Sequence, residues 1–79
     1  MKPRKFKTVD VRDIIATGGE PFPAIRSAVD VLAKGEGLSV IAPFLPSPLI
    51  ERLGSEGFRS DIARQADGTW ITYFWRDND

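Results

Sequence analysis

No cysteine occurs in this chain, so its 79 residues have no covalent staple and must be held by packing alone. That length is near the lower size at which a hydrophobic core offsets the entropy of ordering a chain. Most apolar side chains are therefore committed to one core, and few remain for a site. With 42% hydrophobic and 28% charged residues, the balance is that of an ordinary globular domain.

The chemistry is narrowed further by what else is missing. Histidine is absent too, and Met1 is the only thioether. Zinc, haem and copper sites depend on imidazole or thiolate ligands, and a histidine-activated nucleophile is equally out of reach. No acidic loop is spaced like a calcium-binding motif. We expect no cofactor. Eleven basic and eleven acidic residues cancel, which argues against general nucleic-acid or anionic-membrane binding, since both need surplus positive charge. The basic start Met1-Lys2-Pro3-Arg4-Lys5 is not followed by a run of seven apolar residues, and no stretch approaches a membrane span. A cytoplasmic location is expected.

Along the chain, Phe6 to Val11 alternates and is rich in β-branched residues, which predicts a strand with Lys7, Val9 and Val11 on one side and Phe6, Thr8 and Asp10 on the other. Residues 15–19 read as irregular. Glu20-Pro21-Phe22-Pro23 then opens a helix whose first turn tolerates both prolines, because its amides lack intrahelical partners. Phe22, Ile25, Val29 and Leu32 recur at helical spacing, and Gly35 is expected to end the helix as a left-handed cap.

Leu38 to Ala42 is a short apolar run that predicts a buried strand, followed by the bend Pro43-Phe44-Leu45-Pro46. Ser47-Pro48 predicts a second helix start with the serine hydroxyl capping the free amides, and Gly57 followed by Phe58 predicts a Schellman ending that brings Phe58 against Leu53. Two strands, 58–65 and 70–76, are joined by Ala66-Asp67-Gly68-Thr69, whose Asp-Gly pair suits positive φ values; 77–79 should fray. The expected architecture is a single α/β (α+β) domain over 1–79, with an ordered core at about 6–76. It is a two-layer sandwich of βαβαββ order, a four-stranded mixed sheet with two helices on one face.

Three elements in this order, Val9-Asp10-Val11-Arg12, Glu20-Pro21-Phe22-Pro23 and Gly35-Glu36-Gly37, resemble the TusA/SirA-like sulfur-carrier superfamily. In that superfamily the helix opens with Cys-Pro-x-Pro, and its low-pKa cysteine carries persulfide sulfur. Here Glu20 stands in the cysteine's place, and a carboxylate cannot form a persulfide. The second half, with Pro48-Leu49 and Gly57-Phe58, looks more like the superfamily's cysteine-free branch of unknown function. The resemblance therefore implies the carrier's fold without its sulfur chemistry.

Two groups of residues are candidates for a site. Around the first helix start, Asp10, Arg12, Glu20, Pro21, Pro23 and Arg26 are expected to lie close together, as a turn-fixing polar cluster or as a surface for a cation, an anion or a basic partner side chain. The last strand holds both tryptophans and the only tyrosine, and alternation puts Trp70 and Phe74 on one face and Ile71, Tyr73 and Trp75 on the other. A two-layer sandwich covers one face only, so Trp70, Ile71, Tyr73 and Trp75 are read as a possible interface unless Lys7, Arg64 and the termini cover them. Gly18-Gly19-Glu20 lacks the spacing and the Lys-Ser/Thr of a phosphate loop. The basic residues Lys2, Arg4, Lys5 and Lys7 read as a solvated tail. The leading expectation is a non-enzymatic protein-interaction or regulatory module that binds another protein or its own copy. An anion-binding accessory of sulfur or redox metabolism is the alternative, and general-base catalysis by Glu20 ranks last.

Overall fold

In the computed structural model, which describes Pro3 and residues 5–77, the chain runs β1 (Lys5–Asp10), α1 (Arg12–Ala16), α2 (Phe22–Asp30), β2 (Glu36–Ala42), α3 (Ser47–Ser55), β3 (Arg59–Arg64) and β4 (Trp70–Trp75). The strands form one mixed sheet in the order β1-β2-β4-β3, with β1 and β2 parallel and both pairings of β4 antiparallel. Ile25, Leu49 and Leu53 of the longer helices pack with Leu38, Val40, Ala42 and Phe74 of the sheet, so α2 and α3 cover the same face. This is the two-layer α+β sandwich expected from the residue pattern. Among the described residues, no helix is long and apolar enough to cross a membrane.

Strand β2 lies between β1 and β4, and its helix-facing Leu38, Val40 and Ala42 are almost wholly buried. On the opposite face Gly37 pairs with Phe6 and lets that ring fold across the strand to meet Tyr73 edge-on, with ring centroids 5.2 Å apart. Thr8 and Ser39 share a 3.0 Å hydroxyl hydrogen bond on the same side.

Several local endings differ from the sequence reading. The short α1 replaces part of the segment read as irregular: Val11, Ile14 and Ile15 recur at i, i+3 and i+4 and turn onto the core. Helix α2 stops at Asp30, not at Gly35; Leu32 keeps its inward position through an i→i−3 bond to the Val29 carbonyl, the tightening common at helix ends. Gly35, at φ +82°, instead serves the following turn, where the Glu36 amide donates to Ala33 O and the Ala33 amide donates to the Glu36 carboxylate. No side chain caps α2 or α3, because Pro21 and Pro46 occupy the cap positions; Glu20 and Ser47 each fall one residue from that position.

The end of α3 is as expected. The Phe58 and Gly57 amides donate to Leu53 O and Gly54 O, Gly57 has φ +94°, and Phe58 and Leu53 are both buried. The β3–β4 turn needs one positive φ, not two. Gly68 supplies it at +90°, while Asp67 accepts hydrogen bonds from the Thr69 amide and hydroxyl, so the loop is a three-residue turn with a glycine bulge. Asp77 is also tied down, accepting from Arg59 at 2.7 Å and from the Trp75 indole at 3.2 Å. Asn78, Asp79, Lys2 and Arg4 lie outside the described residues.

Two substitutions test this packing in opposite directions. A Cβ at Gly37 would clash with the Phe6 ring and would lie 2.8 Å from the Phe74 carbonyl oxygen. Gly37→Ala should therefore lower urea-unfolding stability by about 1–3 kcal/mol. Thr72 is wholly buried with an unpartnered hydroxyl, so Thr72→Val should raise stability by about 1 kcal/mol. A neutral result for Gly37→Ala would contradict the close approach of Phe6.

Candidate functional site

The helix-facing side of the sheet is filled unevenly. Helix α2 packs over β1 and β2, whereas α3 leans toward β3, and the core residues of β2 shrink along the strand from Leu38 to Val40 to Ala42. Where the strand ends in its smallest side chain, an open groove of about 340 Å³ lies between the two helix starts. Its floor is Val11, Val40 and Ala42, and its walls are Ile15, Phe22, Ile25 and Leu49. The lip carries Phe44, three prolines (Pro21, Pro46 and Pro48) and two charged residues, Glu20 and Arg52. Phe44 is 49% exposed, one of the most exposed large apolar side chains. The groove lies beyond the carboxyl ends of the parallel strands β1 and β2, where ligands of open α/β sheets commonly bind.

Arginines stiffen one wall. The Arg26 guanidinium donates two hydrogen bonds to one Glu56 carboxylate oxygen, at 2.9 and 2.6 Å, tying α2 to the end of α3. Arg52 lies 3.6 Å from the other oxygen. Both guanidinium groups flank the Phe22 ring, 5.9 and 5.3 Å from its centroid, which holds that side chain in the wall.

The expected cluster of Asp10, Arg12, Glu20 and Arg26 does not assemble. Asp10 and Arg12 pair with each other, the Arg12 side chain donating at 2.9 and 2.6 Å and its amide at 3.0 Å. The two-residue spacing after the strand end closes this pair locally, on the sheet face away from the helices. Arg26 is held by Glu56, a partner that lies 30 residues away and is invisible to local spacing. Glu20 is exposed and, among the described residues, makes neither a hydrogen bond nor an ion pair, but it and Pro21 do line the groove. Pro23, at the second helical position, is exposed outside it.

The aromatic face is less open than alternation implies. Trp75 is only 8% exposed, Ile71 and Tyr73 are half-buried, and Phe6 covers Tyr73. Lys7 and Arg64, considered as covers, lie on the helix side of the sheet, as does Trp70; there the Arg64 guanidinium lies 5.7 Å from the Trp70 ring centroid. Sequence reasoning missed Phe44, Pro46 and Leu49 as site residues. The available signal was an aromatic side chain in a proline-rich bend, which has no place in the core. Among the described residues, no three of His, Cys, Asp and Glu gather as a metal site would need.

A model of the family described as "Uncharacterized conserved protein (DUF2249)" matches residues 8–76. No curated protein and no solved structure matches the chain.

The Asp10–Arg12 pair makes a pH prediction. Hydrogen bonds from the Arg12 side chain and then from its amide hold the Asp10 carboxyl below its ordinary value of 3.8. A folded-state pKa that is depressed favours the fold above the unfolded value, and the contribution is lost as pH falls through the lowered one. Carboxyl-carbon NMR should place the Asp10 midpoint below 3.8 and return it toward 3.8 in Arg12→Ala. An unmoved midpoint would show that the pair does not persist in solution.

Proposed function

The chain belongs to the DUF2249 family, and we propose that it works as a non-enzymatic protein-interaction module whose docking surface is the groove at the start of α2. The observation that carries this reading is an open apolar trough with a half-exposed phenylalanine at its lip, in a domain too small to spare apolar surface. Support for the non-enzymatic part is compositional: the sequence holds neither cysteine nor histidine, and Glu20 faces solvent, not a closed pocket. We also place the chain in the TusA/SirA-like superfamily, on the order of its Val9-Asp10-Val11-Arg12, Glu20-Pro21-Phe22-Pro23 and Gly35-Glu36-Gly37 elements, in its cysteine-free branch, on Pro48-Leu49 and Gly57-Phe58, and in the cytoplasm.

The groove, which shares only Glu20 and Pro21 with the helix-start residues considered from the sequence, is favoured over the aromatic sheet face. A charged residue at Trp75 would strike a buried side chain and its bond to Asp77, so its first effect would be on folding. The alternative function, an anion held at the amides of α2 with Arg12 or Arg26, draws less support, since each arginine already has a carboxylate partner.

Site-specific photo-crosslinking tests the assignment. A photoreactive phenylalanine analogue at position 44 should capture a discrete partner in the parent cell, and the same analogue at position 71, on the open sheet face, should not. Phe44→Glu should abolish capture from position 48 while leaving the thermal midpoint within a few degrees, as expected of an exposed site. Capture from position 71 alone would return the interface to the aromatic face.

A further inference from the structure

We infer that two copies of this chain pair through the free edge of β1, antiparallel and two-fold symmetric about Thr8, so that their sheets join into one. This surface is separate from the groove. The outer strands β1 and β3 each have one unpaired edge, and the two are finished differently. In β3 the Gln65 amide donates to the Thr69 carbonyl, and alternation then turns Arg59, Asp61 and Ala63 toward β4 and leaves Ser60, Ile62 and Arg64 facing out. The Asp61 carboxylate closes that edge at its centre by accepting from the Ile62 amide at 2.9 Å, a side chain blocking the pairing that an open edge invites. In β1 the Val11 amide donates to the Ile41 carbonyl, so by the same alternation Phe6, Thr8 and Asp10 face out. Among the described residues nothing bonds their amides.

Register and charge both select a second copy for this edge. A two-fold axis normal to the sheet pairs outward residues only with outward residues. Centred on Thr8, it joins all three with one another: Thr8 meets Thr8, and Phe6 of each copy meets Asp10 of the other, each pair exchanging two hydrogen bonds. Moving the axis to Lys7 would set the two lysines directly opposite and leave Asp10 facing no outward residue of β1. The strand is also basic where it begins and acidic where it ends. Lys5 and Lys7 outnumber the neighbouring Glu36, whereas Asp10, Asp13 and Asp67 outnumber the Arg12 they surround. Antiparallel pairing lays each basic end along the acidic end of the other copy, and a parallel arrangement would set like against like. Edge lysines often oppose pairing, but in this register Lys7 faces Val9 of the other copy, and its ammonium lies 4.0 Å from Glu36 of its own.

Analytical ultracentrifugation of the whole chain over a concentration series, with amide hydrogen exchange read by NMR, tests the inference. The chain should show a monomer–dimer equilibrium, and exchange at Phe6, Thr8 and Asp10 should slow as the dimer forms while Ser60 and Arg64 stay fast. Thr8→Pro removes the amide on the axis. That amide has no partner within its own chain, and an edge strand tolerates proline there, so the variant should keep its fold and associate about 10- to 100-fold more weakly. Thr8→Val loses the hydroxyl but keeps the amide, and its association should stay within about fivefold of the parent. If Thr8→Pro does not fold, the exchange pattern of the parent decides alone. A chain that remains monomeric at millimolar concentration overturns the inference and leaves the groove reading untouched. A dimer that slows Ser60 and Arg64 would move the contact to β3, and one that perturbs Phe44 without slowing Thr8 would move it to the groove; either also overturns it.

Discussion

Burial of β2 on both of its edges is the constraint from which the rest of the molecule follows. In a chain with no staple, stability comes from removing apolar surface from water, and β2 supplies the residues that do so most completely. Hydrogen bonding to β1 and β4 leaves it no free edge, and its helix-facing row of Leu38, Val40 and Ala42 is wholly apolar, while Ser39 on the other face bonds Thr8. Its taper has a second consequence. Leu38 and Val40 fill the space beneath the helices, but Ala42 cannot, and the two helix starts are left apart above it. The groove is the outcome of one small residue at the end of an otherwise bulky row.

Most elements governed by local chemistry were legible, the helix end expected at Gly35 and the cap expected at Ser47 being the exceptions. The Schellman ending at Leu53, Gly57 and Phe58 needs only residues close in sequence, and both the helix period and the strand alternation belong to single segments. The site residues were misjudged where a distant partner decides. Arg26 reads as a polar-face residue near Glu20 until the fold brings Glu56 to it, and no spacing in the chain announces that pairing. Likewise, the exposure of Tyr73 cannot be judged without knowing that Gly37 lets Phe6 cross β2. The missed α1 differs in kind, since its i, i+3, i+4 pattern was present but only five residues long, too short for a periodicity argument to separate from chance.

The candidate site was half legible for the same reason. Glu20 and Pro21 were singled out because they open a helix, a local property. Phe44 and Leu49 reach the site from the far side of β2, through a connection whose role appears only when the two helix starts are seen to face each other. A proline-rich bend between strand and helix reads as punctuation, yet its rigidity is what sets a half-exposed aromatic ring on the lip without a helix or strand to support it.

On the proposed kinship with sulfur carriers, the substitution at position 20 separates two properties that a cysteine combines. A thiolate at a helix start is a nucleophile, and it is also a negative charge stabilised by the positive end of the helix. Glutamate keeps the charge and discards the nucleophile. A partner surface shaped to an anion at this helix start would therefore still find one here, whereas any chemistry passing through sulfur would stop. The floor of Val11, Val40 and Ala42 carries no polar side-chain atom that such chemistry would need, but it is suited to bury a side chain. Recognition can thus outlast reaction at the same place in a fold, because recognition depends on charge and shape and reaction on the identity of a single atom.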